Sequence, residues 1–505
     1  MGFVYARTLL LFLILALLSA CSALPTRLPE ASPLPQPSPT AEPQPTPTMT
    51  PEPGPPEPVF TATPTLSELP APLYTITASL DDAAHAVSVV EQIVYFNRSN
   101  DPLSEIPLIA GPTMYPGNFQ LGEVFSSAGP ALKNVTTETG VIRLELAEPL
   151  QPGQSITLEV TFGLYLPARV ENSSLRPMVF GWSDRQVNLV DWYAYIPPYV
   201  DGSGWLYHQP APYGEHQVYE TADFNVQFQL LNARPGLVVA ASTPGEELNG
   251  WYQYEMRGAR AFVLSIGPDY VVQSKQVGST TVTTYTFAQH ALAGERVLQN
   301  AAESLELFSR LFGPYPHPGL AVVEADFMDG MEFSGLFFLS NGFYNISNGT
   351  QADYMIALAA HETAHQWWFD LVGNDQALEP WLDEALCTYS EYIYYDELHP
   401  EGLPWWWDYR VNYYEPRGPV NDTIYNPRHE VYAYRAYRDA VYLNGAIFLH
   451  ELRGLVGDEA FFAFLADYAT QNREKIATSE GFFALLSEHT SVDLTDIRKK
   501  YFIGQ

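Results

Sequence analysis

Two histidines four residues apart, in the run His361-Glu362-Thr363-Ala364-His365, limit the fold of this chain more than any other feature. Side chains at that spacing stack one turn apart on the same face of an α-helix, so the run must be helical for both imidazoles to face one point. Imidazoles so placed grip a single divalent ion, and Glu362 between them sits beside the ion without having to bind it. A catalytic zinc takes three protein ligands and leaves one position open, so a third donor has to come from another segment. Glu384, in Trp381-Leu382-Asp383-Glu384-Ala385, is placed to supply it. Gly373 and Asn374 are expected to break the first helix and Pro380 to open a second, and such a helix-turn-helix returns Glu384 to the histidines.

The rest of the chain divides by periodicity. From about Tyr74 to Phe287 the signals are those of strands. Phe224, Val226, Phe228 and Leu230 alternate with Asn225, Gln227 and Gln229, the two-residue period of a half-buried strand. Ile156 to Leu164 and Thr280 to Phe287 are rich in β-branched and aromatic residues, and Pro-Gly pairs at 116, 152 and 235 mark turns. The register then changes: Val297, Leu298, Ala301, Leu305, Phe308 and Phe312 recur at three and four, a helical stripe stopped by Gly313-Pro314. Helical patterns dominate from Gln351 onward. The fold class is therefore α+β, a β-rich domain over 73–287 followed by a mainly helical domain over 288–505 that carries the metal motif. A chain of 505 residues with 46% hydrophobic content has both the length for two such units and the material for their cores.

The N-terminus reads as an address. Arg7 supplies a positive charge, Leu9 to Leu18 form an apolar run too short to span a bilayer, and Leu18-Ser19-Ala20-Cys21 resembles a bacterial lipobox. The expectation is a signal peptide over 1–20 and a lipid on Cys21 that holds an extracytoplasmic lipoprotein to its membrane. A proline-dense linker over 21–72 is too poor in apolar residues to fold and acts as a stalk. Nucleic acid is excluded as a partner by a formal charge of -33, whose field repels phosphate. With only two cysteines, Cys21 and Cys387, a disulfide framework is excluded as well. Oligomeric state is not legible.

His361 to Glu384 resemble the signature of gluzincin metallopeptidases, and more narrowly of the aminopeptidase N-like family. The similarity includes His365-Gln366-Trp367-Trp368, Leu371-Val372-Gly373-Asn374-Asp375 and Trp381-Leu382-Asp383-Glu384. Upstream, Gly330-Met331-Glu332-Phe333 looks like the Gly-x-Met-Glu-Asn segment whose glutamate holds the α-amine of the substrate. Downstream, Val441-Tyr442-Leu443-Asn444-Gly445-Ala446 looks like the segment that carries the catalytic tyrosine. The resemblance implies a saddle-like β sandwich followed by a thermolysin-like domain, one zinc ion per chain on His361, His365 and Glu384, and peptide substrates. It makes Glu362 the general base, Tyr442 the donor to the oxyanion, and Gly330, Met331 and Glu332 the substrate-binding segment. Glu391, two turns beyond Glu384 on one face, is expected to orient a ligand histidine from behind.

Three departures stand out. Phe333 replaces an asparagine, Asp329 stands where glycine is frequent, and Asn444 replaces a lysine. The chain also stops at Gln505, so the large helical C-terminal domain of many relatives is expected to be absent. An open cleft leaves endopeptidase action as an alternative to aminopeptidase action, and a non-catalytic surface lipoprotein on a peptidase scaffold as another. Cys387 is read as a buried helix residue and Trp405-Trp406-Trp407 as packing; His429 and His450 receive no role.

Overall fold

A computed structural model describes residues 66–169, 178–426 and 433–504. Cys21, the signal-like run, most of the proline-dense linker and His429 lie outside the described residues. The described residues all fall in one compact unit.

The first half is layered β structure. Its largest sheet has seven strands in the order Glu246–Leu248, Trp251–Ala259, Ala222–Leu231, Leu73–Asp81, Ala86–Phe96, Ser155–Tyr165 and Phe119–Ala128. Alternation sets which face is buried: Phe224, Val226 and Phe228 point inward, as do Ile156, Leu158, Val160, Phe162 and Leu164 three strands away. They share one apolar core with Ile106, Leu108, Ile142 and Leu144 of a three-stranded sheet formed by Leu103–Ile109, Val141–Leu150 and Leu132–Glu138. The turn at Pro152-Gly153, between two of these strands, puts Gly153 at a φ of 81°, a value glycine adopts without steric cost.

A five-stranded sheet opens the second half, in the order Val271–Val277, Thr280–Thr286, Gly319–Ala325, Leu336–Ser340 and Gly330–Phe333. Its first two strands lie before residue 287, so the sheet of the helical half reaches back across the boundary drawn from the sequence. Strand periodicity marks a strand but not the sheet that it joins, which is why the boundary falls earlier in space. Helix α1 (Ala291–Phe312) links the parallel strands Thr280–Thr286 and Gly319–Ala325, and its Val297, Ala301, Leu305 and Phe308 stripe is buried. Gly330–Phe333 is the edge strand, antiparallel to Leu336–Ser340.

Helix α2 (Tyr354–Ala364) carries the histidine motif, and α3 (Trp381–Leu398) carries Glu384. The sequence places the end of the first helix at Gly373, but regular helix stops at Ala364. Trp367 and Trp368 are then fully buried and Phe369 takes a φ of 150°, a path no helix can follow. Gly373–Asn374 instead forms a short parallel pair with Ile476–Ala477.

One buried arginine ties the halves together. Arg260 donates from Nε to the Asp370 carbonyl (2.9 Å), from Nη1 to that of Tyr219 (2.8 Å) and from Nη2 to that of Lys475 (2.9 Å). Burial lowers its pKa to about 10. Gly373 lies so close that a Cβ there would come within 2.4 Å of the guanidinium carbon.

Candidate active site

Asp353 caps α2 by accepting from the Met355 N–H at 3.0 Å, which starts the helix in register for His361 and His365 to share a face. Glu384 stands in the first turn of α3, where the helix dipole favours a carboxylate, and Asp383 Oδ1 accepts its N–H at 2.8 Å. His361, His365 and Glu384 are all buried, and their donor atoms lie within 4.8 Å of one another. Glu384 Oε2 is 3.2 Å from His361 Nε2 and 3.7 Å from His365 Nε2. Ligands at zinc's usual bond lengths, arranged tetrahedrally, stand roughly 3.3 Å apart, so these spacings and this donor chemistry fit one zinc ion.

Both histidines are held from behind. His365 Nδ1 lies 3.0 Å from the Trp368 carbonyl, and His361 Nδ1 lies 3.1 Å from Glu391 Oε1. Glu391 is wholly buried, and it accepts from Arg410 Nε (2.9 Å), Arg410 Nη2 (2.7 Å) and Trp406 Nε1 (2.9 Å). Burial alone would raise this carboxyl, but Arg410 and His361 outweigh burial and hold it below its ordinary range. Burial, reinforced by His361, pushes His365 well below its usual value, which keeps the ring neutral and able to bind a metal.

Glu362 is buried beside the triad with Oε2 lacking any hydrogen-bond partner. Burial pushes its carboxyl up to about 8; His361 opposes the rise, while Asp329 and Glu215 add to it. Gly330 makes room for it, since a Cβ at that position would lie 1.9 Å from Glu362 Oε1. Tyr442, half-buried, donates to Glu384 Oε1 at 2.6 Å and stacks on the His361 ring at 6.1 Å.

Glu332 lies one step from the triad. Gln376 Nε2 donates both to Glu332 Oε1 (3.1 Å) and to Asp383 Oδ2 (3.2 Å). Glu215, from the β-rich half, completes an acidic group with Glu332 and Glu384 whose oxygens also lie within 4.8 Å of one another. Burial, and after it the carboxylates of Glu215 and Glu384, raise Glu332 well above its usual value. Met331 is half-buried against the sheet core, and Phe333 turns inward, its ring edge-on to Phe338 at 6.2 Å.

Sequence reasoning missed Glu215, Trp406 and Arg410. Glu215 follows Gly214 in a loop without a motif, so nothing local marks it. Trp406 and Arg410 are four apart on one helical stretch, a spacing that in retrospect pairs them on one face. Cys387 is buried, with Sγ 3.8 Å from the Trp368 carbonyl, and His450 packs between Tyr392 and Trp407.

His361 and His365 on one helix, Glu384 from the next and the buried carboxyl of Glu362 beside them form an arrangement that fits one divalent ion. Residues 296–501 match the Peptidase family M1 domain, in line with the resemblance to the aminopeptidase N-like family. Aminopeptidase M1-B of Oryza sativa subsp. japonica is 29% identical over 243 residues, covering 45% of this chain and 27% of the rice protein. Aminopeptidase N of Streptomyces lividans is 26% identical over 308 residues, covering 53% of this chain and 34% of its own length. The chain thus spans about a quarter to a third of these relatives. The M1 zinc metallopeptidase of Deinococcus radiodurans shares the fold, with a TM-score of 0.60 at 18% identity over 85% of this chain and 92% of that one. A mutant of a Deinococcus radiodurans M1 zinc metallopeptidase, bound to a Tyr-Ser-Ala substrate, aligns with a TM-score of 0.59 at 18% identity over 86% of this chain and 94% of that one.

Proposed function

We propose that the chain is a zinc-dependent aminopeptidase that removes N-terminal residues from peptides. The observation that carries this reading is Glu362, whose buried and unpartnered oxygen lies next to the His361, His365 and Glu384 donor set. A structural metal site needs no such group. Zinc bound there would activate water and polarise the scissile carbonyl.

The remaining roles belong to the protein's own side chains. Glu362 takes the proton of the attacking water and passes it to the leaving amine as the C–N bond breaks. The Tyr442 hydroxyl donates to the oxyanion that forms when the carbonyl is attacked. Glu332 and Glu215 bind the α-amine of the substrate, whose positive charge relieves their mutual repulsion. The edge strand Gly330–Phe333 offers its outer side to an extended peptide. Phe333 is turned into the core, so the amine site in this chain rests on Glu215, Glu332 and Gln376 instead.

One experiment tests the reading. Zinc content and turnover are measured for the protein and for Glu362→Gln, on one peptide with a free and with an acetylated N-terminus. About one zinc per chain, loss of turnover by roughly 100-fold or more in Glu362→Gln with the metal retained, and preference for the free peptide support it. Turnover that survives the substitution sinks the base assignment, and equal rates on both peptides sink the exopeptidase assignment.

We further propose that Cys21 carries a lipid that anchors the chain outside the cytoplasm. Fatty-acid labelling that persists in Cys21→Ser would rule this out.

A further inference from the structure

Asp329 is a non-glycine residue in the left-handed region, with a φ of 81°. Such backbone is strained for any side chain, and strain of this kind gathers at functional sites. Three hydrogen bonds hold it. Its carbonyl accepts from the Ser340 N–H (3.1 Å), Oδ1 from the Gly330 N–H (3.2 Å) and Oδ2 from the Tyr434 hydroxyl (2.8 Å). All three donors are neutral. Among the described residues no lysine or arginine is ion-paired with Asp329, and the nearby Arg438 is paired with Asp439. The side chain is half-buried and remains accessible.

Its place along the edge strand gives the carboxylate a meaning. Glu332 joins the acidic group at one end, Gly330 lies against Glu362 in the middle, and Asp329 follows on the far side. The strand begins at Gly330, so Asp329 stands just before its first residue, three positions from Glu332. On the aminopeptidase reading, a peptide with its amine at Glu332 and Glu215 and its scissile carbonyl beside Glu362 would run on past Asp329 with the residue just after the cleaved bond.

We propose that Asp329 is a specificity residue that selects a basic side chain immediately after the scissile bond. This rests on the aminopeptidase reading and adds to it the second residue of the substrate. An unpaired carboxylate at the rim of an acidic cleft favours lysine or arginine there and repels glutamate or aspartate.

The test compares Ala-Lys-Ala with Ala-Glu-Ala on the zinc-loaded protein and on Asp329→Asn. Asparagine tolerates left-handed backbone, so the variant keeps the loop while removing the charge. The expected result is a kcat/KM ratio of about 10 or more in favour of lysine, falling below about 3 in Asp329→Asn, with the change in KM. A ratio unaltered by the substitution overturns the proposal. Calorimetric binding of the two peptides to zinc-loaded Glu362→Gln, with and without Asp329→Asn, provides a second readout independent of turnover. If no peptide is hydrolysed, the aminopeptidase reading fails, while a lysine preference in binding that vanishes with Asp329→Asn still supports this proposal. Equal binding of both peptides overturns it.

Discussion

His361 Nδ1 lies 3.1 Å from Glu391 Oε1, so the imidazole whose Nε2 faces Glu384 is oriented by a second carboxylate that Arg410 in turn grips with two nitrogens. This chain of contacts fixes the ring before any metal arrives.

Removing the carboxylate's charge therefore weakens metal binding without deleting a ligand. Glu391→Gln is expected to lower zinc affinity by about 10–100-fold, read by competition with a chelator of known affinity. Arg410→Ala leaves Glu391 buried without its cation and is expected to cost stability by about 3–5 kcal/mol, read by urea unfolding of the metal-free protein. Unchanged zinc affinity in Glu391→Gln would count against the orienting role.

Tyr442→Phe removes one hydroxyl that donates to Glu384 at 2.6 Å. Under the proposed mechanism kcat falls by about 100- to 1,000-fold with zinc content intact, as for loss of one oxyanion donor. A kcat within a few-fold of the parent would assign the tyrosine to packing.

Far from the metal, Glu91 is fully buried in the β-rich core, with Oε2 accepting the Ala194 N–H at 3.1 Å and Oε1 without a partner. Burial raises its carboxyl well above the usual range despite the Ala194 bond. A carboxyl raised on folding contributes its stability in the protonated form, below the unfolded pKa, and that contribution is lost as pH rises through the folded value. Glu91→Gln should therefore gain thermal stability relative to the parent as pH goes from 5 to 8. A Tm difference that is flat with pH would contradict this.

What could be read from the sequence was whatever local spacing encodes. Two histidines at helical spacing, the return of Glu384 after Pro380, and the stripe from Val297 to Phe312 follow from the 3.6-residue period. The two-residue period likewise marks Ala222–Leu231 as a strand. What tertiary contact assembles was not legible. Glu215 reaches the site from a loop of the other half, and Arg410 and Trp406 converge on Glu391 from a helical stretch whose aromatic run reads equally well as packing. The end of α2 was misplaced because burial of Trp367 and Trp368 overrides local propensity after Ala364. That the strands before residue 287 pair with Gly319–Ala325 was not legible either, because a strand's pattern does not name its neighbours.

Arg260 gives the β-rich half a share in the chemistry. Its guanidinium clasps backbone from the turn just after His365 and from the segment that pairs with Gly373–Asn374, so the stretch between the second histidine and the glutamate ligand is suspended from a residue of the opposite half. Severing the chain between the halves would leave that stretch without its suspension point. His361, His365 and Glu384 thus sit in one body with the β layers, which act as a brace for them and not as an appendage.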